Sequence, residues 1–240
     1  MNILVLTAYT QDIEWGGYGE NDFSTLAVTH NKEYASNLGY DFKVEVLAQK
    51  YKDFYPSWVK IPCILDNLPH YDYVCWIDAD AIFYTKEKLE DKLGKSICLT
   101  QAVPSNDYDK QFTLTSTGFM IFKNCEYSFN VLNTLLEKAE TYRDGIFKQS
   151  HWHEQGLLDE LFVKDEVQKA ISKERDILLN LDKKKLSVPL LTENFKILPY
   201  NYQECTEDKD PIFIYHACAD LSTRKERLLK AIKQWNSKNS

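Results

Sequence analysis

Residues 71–83, YDYVCWIDADAIF, constrain the fold of this chain more than any other stretch. Tyr73 to Ile77 is a short apolar run with β-branched and aromatic members, the pattern of a strand buried on both faces. It ends in Asp78-Ala79-Asp80, and a second apolar run, Ala81 to Tyr84, follows with no glycine, proline or asparagine between. Carboxylates at i and i+2 beside a strand end point to the same side, roughly 6–7 Å apart in an extended chain. Hard divalent cations take oxygen ligands of this kind, and the small Ala79 leaves room beside them. A strand ending in two solvated aspartates is the plainer alternative. The apolar surroundings weigh against it, because unpaired charge there is costly. The pair reads as a metal or substrate site.

The rest of the chain alternates strands and helices. Ile3 to Leu6 is a buried strand ending in Thr7-Ala8-Tyr9, followed by a loop with Gly16, Gly17 and Gly19. Glycines there permit close approach of backbone to a ligand. Residues 23–38 carry apolar side chains at helical spacing, with Gly39 as the residue that stops the helix. Residues 41–47 alternate as a strand, with Phe42, Val44 and Val46 on one face. Residues 56–68 read as a second helix holding Trp58 and Lys60, with Pro62 near its first turns. Strands are expected at 96–102 and 113–122, and a helix at 126–143 capped near Ser128. Residues 164–186 read as a solvated helix, and residues 212–215 as a last buried strand running into His216. Thr223 to Trp235 reads as an amphipathic helix with Thr223 and Glu226 at capping-box spacing. Leu228, Leu229, Ile232 and Trp235 form its buried stripe.

This order predicts an α/β fold, one domain over 1–240, with a mixed, mainly parallel sheet flanked by helices. Ligands in such sheets sit beyond the carboxyl ends of the strands, where Thr7–Tyr9, Asp78, Asp80 and His216 converge. Two aspartates and a histidine there form an O,O,N donor set suited to Mn²⁺, with Mg²⁺ the second choice. No Walker loop, G-x-S-x-G or H-E-x-x-H motif is present, so a metal-bound diphosphate is the remaining way to hold a nucleotide. His151-Trp152-His153 has no cysteine or third histidine at zinc-ligand spacing.

Charge and cysteines exclude further classes. With 29 basic against 36 acidic residues, net −7, the chain has no basic block for non-specific nucleic-acid binding. No apolar segment reaches the ~18 residues of a membrane span, and the N-terminus lacks the basic region of a signal peptide. The six scattered cysteines form no C-x-x-C pair and read as free thiols in a reducing, cytoplasmic compartment.

Several blocks together resemble the family-34 glycosyltransferases, which have a GT-A fold. Asn31-Lys32 with Tyr34-Ala35 and Gly39-Tyr40-Asp41-Phe42 looks like the family's N-K-x-x-Y-A…H-G-Y-D block. Trp58-Val59-Lys60-Ile61-Pro62 looks like its W-x-K-I-P helix. Trp76-Ile77-Asp78-Ala79-Asp80-Ala81-Ile82-Phe83 matches W-x-D-x-D-A-x-F. Thr117-Gly118 with Lys123-Asn124, then Glu154-Gln155, then His216, follow in the family's order.

The resemblance implies a retaining transfer of a sugar from a nucleotide sugar, usually UDP-linked, to a carbohydrate acceptor, with Mn²⁺. Asp80 and His216 would bind the metal, and Asp78 the ribose or the metal's shell. Thr7, Ala8 and Tyr9 would hold the nucleoside, and Lys60 falls in the donor-binding helix block. Gln155 would sit beside the anomeric carbon, with Glu154 on the donor sugar's hydroxyls. The family's Gly-Cys-Lys after the histidine is Cys218-Ala219-Asp220 here, so Arg224 or Lys225 would supply the cation for the phosphates. Ser116 stands where the family has asparagine. Two readings compete: a GT-A domain that binds nucleotide or glycan without turnover, and a metal-dependent phosphohydrolase. The sugar, base and acceptor stay open, with the aromatic segments at 15–18 and 151–152 as glycan-stacking candidates.

Overall fold

The structure, a computed structural model, describes residues 1–9, 23–46, 56–102, 114–142, 153–173, 186, 188–204, 212–217 and 221–239. The glycine loop at 15–19, the loop at 104–107, His151, Trp152 and the segment 218–220 lie outside the described residues.

A seven-stranded sheet has the order β2-β1-β3-β6-β5-β8-β7. Its strands are β1 (Ile3–Tyr9), β2 (Asp41–Val46), β3 (Tyr73–Ile77), β5 (Ile97–Gln101), β6 (Thr115–Lys123), β7 (Leu190–Leu191) and β8 (Phe195–Leu198). Strands β2, β1 and β3 are parallel, β6 is antiparallel to both β3 and β5, β8 runs with β5, and β7 runs against β8. Five of the seven strands therefore point one way, and the mixed, mostly parallel sheet is the one expected. A second sheet, ordered β4-β10-β9, comprises β4 (Ala81–Phe83), β9 (Gln203–Glu204) and β10 (Ile214–His216).

The alternation of strand side chains assigns each face its cover. Leu4, Leu6, Val74, Trp76, Leu99 and Phe122 pack on one side against α2 (Lys60–Asn67), α3 (Glu126–Tyr142), α4 (His153–Leu158) and α5 (Lys164–Lys173). Ile3, Val5, Cys75, Ile77, Cys98 and Ile121 pack on the other against α1 (Phe23–Leu38) and the small sheet. Within β4 the split is sharp. Ala81 and Phe83 face the large sheet, while Ile82 and Tyr84 face the last helix, α6 (Leu221–Asn239).

That split explains the unpunctuated turn at Asp78-Ala79-Asp80. The chain leaves one sheet at Ile77 and enters the other at Ala81, closed by an Ala81 amide to Asp78 carbonyl bond of 3.0 Å. The carboxylates thus sit at a step between two buried sheets.

Several local expectations need correction. Ser128 does not cap α3, which begins at Glu126; its hydroxyl donates to the Ser96 carbonyl and ties the helix to β5. The helix expected at 164–186 is described over Lys164–Lys173, residues 174–185 lying outside the described residues, and it is not wholly solvated, since Val167 is buried against the core. Helix α6 begins at Leu221, so Thr223 is inside it and not a cap. Leu229 on α6 is 47% exposed, and Ala231 takes its place in the buried stripe. On the edge strand β2, Phe42 and Val44 are half-buried and Val46, at the strand's end, is exposed.

Gly39, by contrast, ends α1 at φ +75°, as a C′ glycine does. Cys63, Cys75, Cys98 and Cys125 are free thiols, the first three buried. No helix among the described residues is long and apolar enough to cross a membrane.

Candidate metal and sugar-transfer site

Strand β3 delivers Asp78 and Asp80 to the carboxyl edge of the large sheet, and β10 delivers His216 beside them by pairing antiparallel to β4, His216 opposite Ala81. One ligand atom from each of the three lies within 4.8 Å of the other two. His216 Nε2 is 3.0 Å from Asp80 Oδ1 and 3.9 Å from Asp78 Oδ2. The two carboxylates and the imidazole fit a hard or borderline divalent cation such as Mg²⁺ or Mn²⁺.

Two cations hold the carboxylates. Arg224, in the first turn of α6, places Nη1 2.8 Å from Asp80 Oδ2. Burial works to raise Asp80, yet His216 and Arg224 hold its carboxyl well below the usual range. On the other side Lys60, buried in the first turn of α2, reaches Asp78 Oδ1 at 3.1 Å and Glu154 Oε1 at 3.0 Å. It also donates to the Thr117 carbonyl at 3.2 Å. Burial opposes the Lys60 charge, but Asp78 and Glu154 hold its ammonium above the usual lysine range. Asp78 Oδ1 accepts a further bond from Trp76 Nε1 at 2.7 Å.

Glu154 and Gln155 enter on α4 and meet β6 at one residue. Thr117 donates its hydroxyl to Glu154 Oε1 at 2.8 Å and its amide to Gln155 Oε1 at 3.1 Å. Glu154 is buried, which works against its charge, but Lys60 and the Thr117 hydroxyl keep its carboxyl below the ordinary range. Lys60, Asp78, Thr117, Glu154 and Gln155 thus form one hydrogen-bonded unit. Thr7 and Ala8 are buried at the end of β1, and Thr7 Oγ1 has no hydrogen-bond partner among the described residues. Lys60, Asp78, Asp80, Glu154, Gln155, His216 and Arg224 are thus joined in one contiguous network.

Two participants were not read from the sequence in these roles. Gln203 on β9 places Nε2 2.7 Å from His216 Nδ1 and donates to Ser116 Oγ at 2.9 Å, while Thr100 donates to its Oε1 at 2.6 Å. This contact fixes the imidazole ring with its Nε2 edge toward Asp80, an outer-shell role common for metal-site histidines. Gly118 lies against both. A Cβ there would stand 2.7 Å from His216 Cε1 and 2.8 Å from Gln203 Nε2. Gly118 belongs to a block that resembles the family, but only the packing shows why no side chain fits. Gln203 sits in the stretch YNYQE, where no motif marks it.

Residues 1–115 match the galactosyl transferase GMA12/MNN10 family. The match includes Lys60, Asp78 and Asp80; Glu154, Gln155 and His216 lie beyond it. No curated protein matches the sequence. Among solved structures, a glycosyltransferase involved in the glycosylation of the major capsid of PBCV-1 is similar at 12% identity. That pair covers 96% of this chain and 100% of the other, with a TM-score of 0.59. Galactosyltransferase LgtC, solved in complex with donor and acceptor sugar analogues, is similar at 10% identity over 96% and 95% of the two chains, TM-score 0.52. These likenesses establish the GT-A fold. With that fold over nearly the whole chain and the family match over residues 1–115, the protein is a glycosyltransferase.

Proposed function

We propose that the protein moves a sugar, with retention of anomeric configuration, from a UDP-linked donor to a hydroxyl of a glycan acceptor, using Mn²⁺. The observation that carries this reading is the Asp78, Asp80 and His216 cluster beside Gln155 at the carboxyl edge of the sheet. Asp80 and His216 hold the metal, Asp78 the ribose or the metal's shell, and Thr7, Ala8 and Tyr9 the nucleoside. A bound Mn²⁺ supplies Lewis-acid stabilisation of the leaving diphosphate, worth several kcal/mol.

The protein's own groups do the rest. Lys60 pairs with Asp78 and keeps the buried Glu154 ionised, and Glu154 holds donor sugar hydroxyls. The Gln155 amide oxygen, oriented by the Thr117 N–H, is suited to stabilise positive charge developing on the anomeric carbon. An amide is a poor nucleophile, so the acceptor oxygen attacks from the face the diphosphate leaves. The bond from anomeric carbon to phosphate oxygen breaks, the bond to the acceptor oxygen forms, and the acceptor's proton passes to the departing phosphate.

Donor hydrolysis across UDP-, GDP- and dTDP-sugars, followed by NMR with Mn²⁺, with EDTA and with Asp80→Ala, tests this. The expected result is Mn²⁺-dependent release of one α-sugar, lost with EDTA and reduced at least about 100-fold in the variant, the scale of ~3 kcal/mol of lost stabilisation. If no donor is consumed while UDP with Mn²⁺ still raises the melting temperature, the protein binds nucleotide without turnover. A glycosyl-enzyme trapped in mass spectrometry would overturn the single-step mechanism.

A further inference from the structure

Asp80 belongs to the metal cluster, yet both its carboxylate oxygens are already engaged. Oδ1 faces His216 Nε2 at 3.0 Å, and Oδ2 faces Arg224 Nη1 at 2.8 Å. A divalent cation ligated by Asp80 needs one of these oxygens, and it repels a guanidinium left beside the other. The neighbouring cation differs in kind. Lys60 is 5% exposed and locked between Asp78, Glu154 and Thr117. The Arg224 side chain is 27% exposed, on the first turn of a helix. Lys60 is enclosed, whereas Arg224 is partly open to solvent.

Lys60 and Arg224 already face the carboxylates of Asp78, Asp80 and Glu154, with the His216 imidazole beside them. A divalent cation adds two positive charges there, and a diphosphate is the anion that answers them. The guanidinium fork suits phosphate oxygens in two-point contact, as it suits a carboxylate.

We propose that Arg224 is a displaceable counter-ion: it pairs with Asp80 here and passes to the donor's diphosphate when metal and nucleotide bind, coupling the two binding events. The inference rests on the metal-dependent reading of this site and adds an order to it. Metal alone competes with Arg224 for Asp80. The nucleotide removes the competitor by giving Arg224 a better partner, so each ligand strengthens the other.

The test titrates Mn²⁺ alone into wild type and Arg224→Met, following free Mn²⁺ by electron paramagnetic resonance, and repeats it with saturating UDP. Calorimetry measures UDP affinity at saturating Mn²⁺, and melting temperatures check that the variants fold. Wild type is expected to bind Mn²⁺ weakly alone and about 10-fold or more tighter with UDP, within the usual range of coupling between sites. R224M is expected to bind Mn²⁺ alone about 10-fold tighter than wild type, to lose most of the gain from UDP, and to bind UDP about 10-fold more weakly. Arg224→Lys keeps the charge without the fork and should fall between them.

If R224M binds Mn²⁺ without nucleotide no better than wild type, Arg224 is a fixed support and the displacement is wrong. If its UDP affinity is unchanged, the passage to diphosphate is wrong. If wild type fails to bind Mn²⁺ both with and without UDP, the metal reading itself falls, an outcome distinct from either of the first two.

Discussion

Gly118 shows how a single missing side chain sets the geometry of a site. Its backbone angle is ordinary, since Gly39 alone among the described glycines has positive φ. What it supplies is room. A Cβ would stand within 2.8 Å of both His216 Nδ1 and Gln203 Nε2, contacts that force one of those rings or amides aside. Gly118→Ala is therefore expected to cost about 1–3 kcal/mol of stability as overpacking. By displacing a metal ligand and its outer partner together, it should also weaken Mn²⁺ binding about 10- to 100-fold. Thermal melts and an Mn²⁺ titration separate the two effects. Unchanged Mn²⁺ affinity in a folded variant would remove His216 from the ligand set. Lys60 has a comparable role in charge: it faces both Asp78 and Glu154, and the buried Glu154 would be costly without it.

At the scale of elements, the segment that presents Glu154 and Gln155 is anchored by one buried acid. Helix α4 runs through a single wide turn, Asp159–Val163, into α5. Asp159 on that turn accepts from the amides of Leu114 and Thr115 and from the Thr115 hydroxyl, fastening the helix to the start of β6. Burial pushes its carboxyl up to about 7 in spite of those donors. The folded state thus holds this proton more tightly than the unfolded chain does. The stabilisation is full below the ordinary aspartate value and is lost as pH rises through about 7. Wild type should therefore lose melting temperature between pH 5 and 8 relative to Asp159→Asn, whose side chain does not titrate. Parallel profiles in differential scanning calorimetry would show that Asp159 is ionised throughout.

How much of this was legible depended on how local the cause was. The runs of β1 and β3, the period of α1 with its Gly39 stop, and the Asp78/Asp80 step were all written in short windows. The two-residue strands β7 and β9 were not, because two residues carry no periodicity. Strand β8 was also missed; its FKIL segment follows a tract read as solvated helix. Leu229 was placed in a buried stripe that in fact follows Leu228, Ala231 and Ile232, since only packing against β4 and β10 selects the face. Gln203 was invisible for a similar reason: its meaning lies in His216, thirteen residues away and on another strand.

For the molecule as a whole, the three apolar clusters are unequal in what they hold up. The largest lies under α2, α3, α4 and α5, and the second joins the large sheet to the small one. The third, with Ala27, Ile82, Tyr84, Tyr215, Leu228 and Ala231, seats α6 on β4 and β10. Those strands carry the chain out of Asp80 and into His216, and α6 carries Arg224, so the third cluster sets the spacing between Asp80, His216 and Arg224. Leu228 and Leu132 are both fully buried, the first in this cluster and the second in the largest. Truncating either to alanine should cost about 2–5 kcal/mol in urea denaturation. The consequences for ligand binding should part. Leu228→Ala is expected to weaken UDP binding in the presence of Mn²⁺ by about 10-fold, the effect of shifting a charged partner by a fraction of an ångström. Leu132→Ala, packed against helices away from the small sheet, should bind within about 2-fold of wild type once folded, because distant sites act nearly independently. Calorimetry on the two variants, chosen for matched stability loss, distinguishes positioning from general loosening. Equal losses of affinity would mean that the small sheet and α6 do not set the site's spacing, and that any weakening of the core reaches it alike.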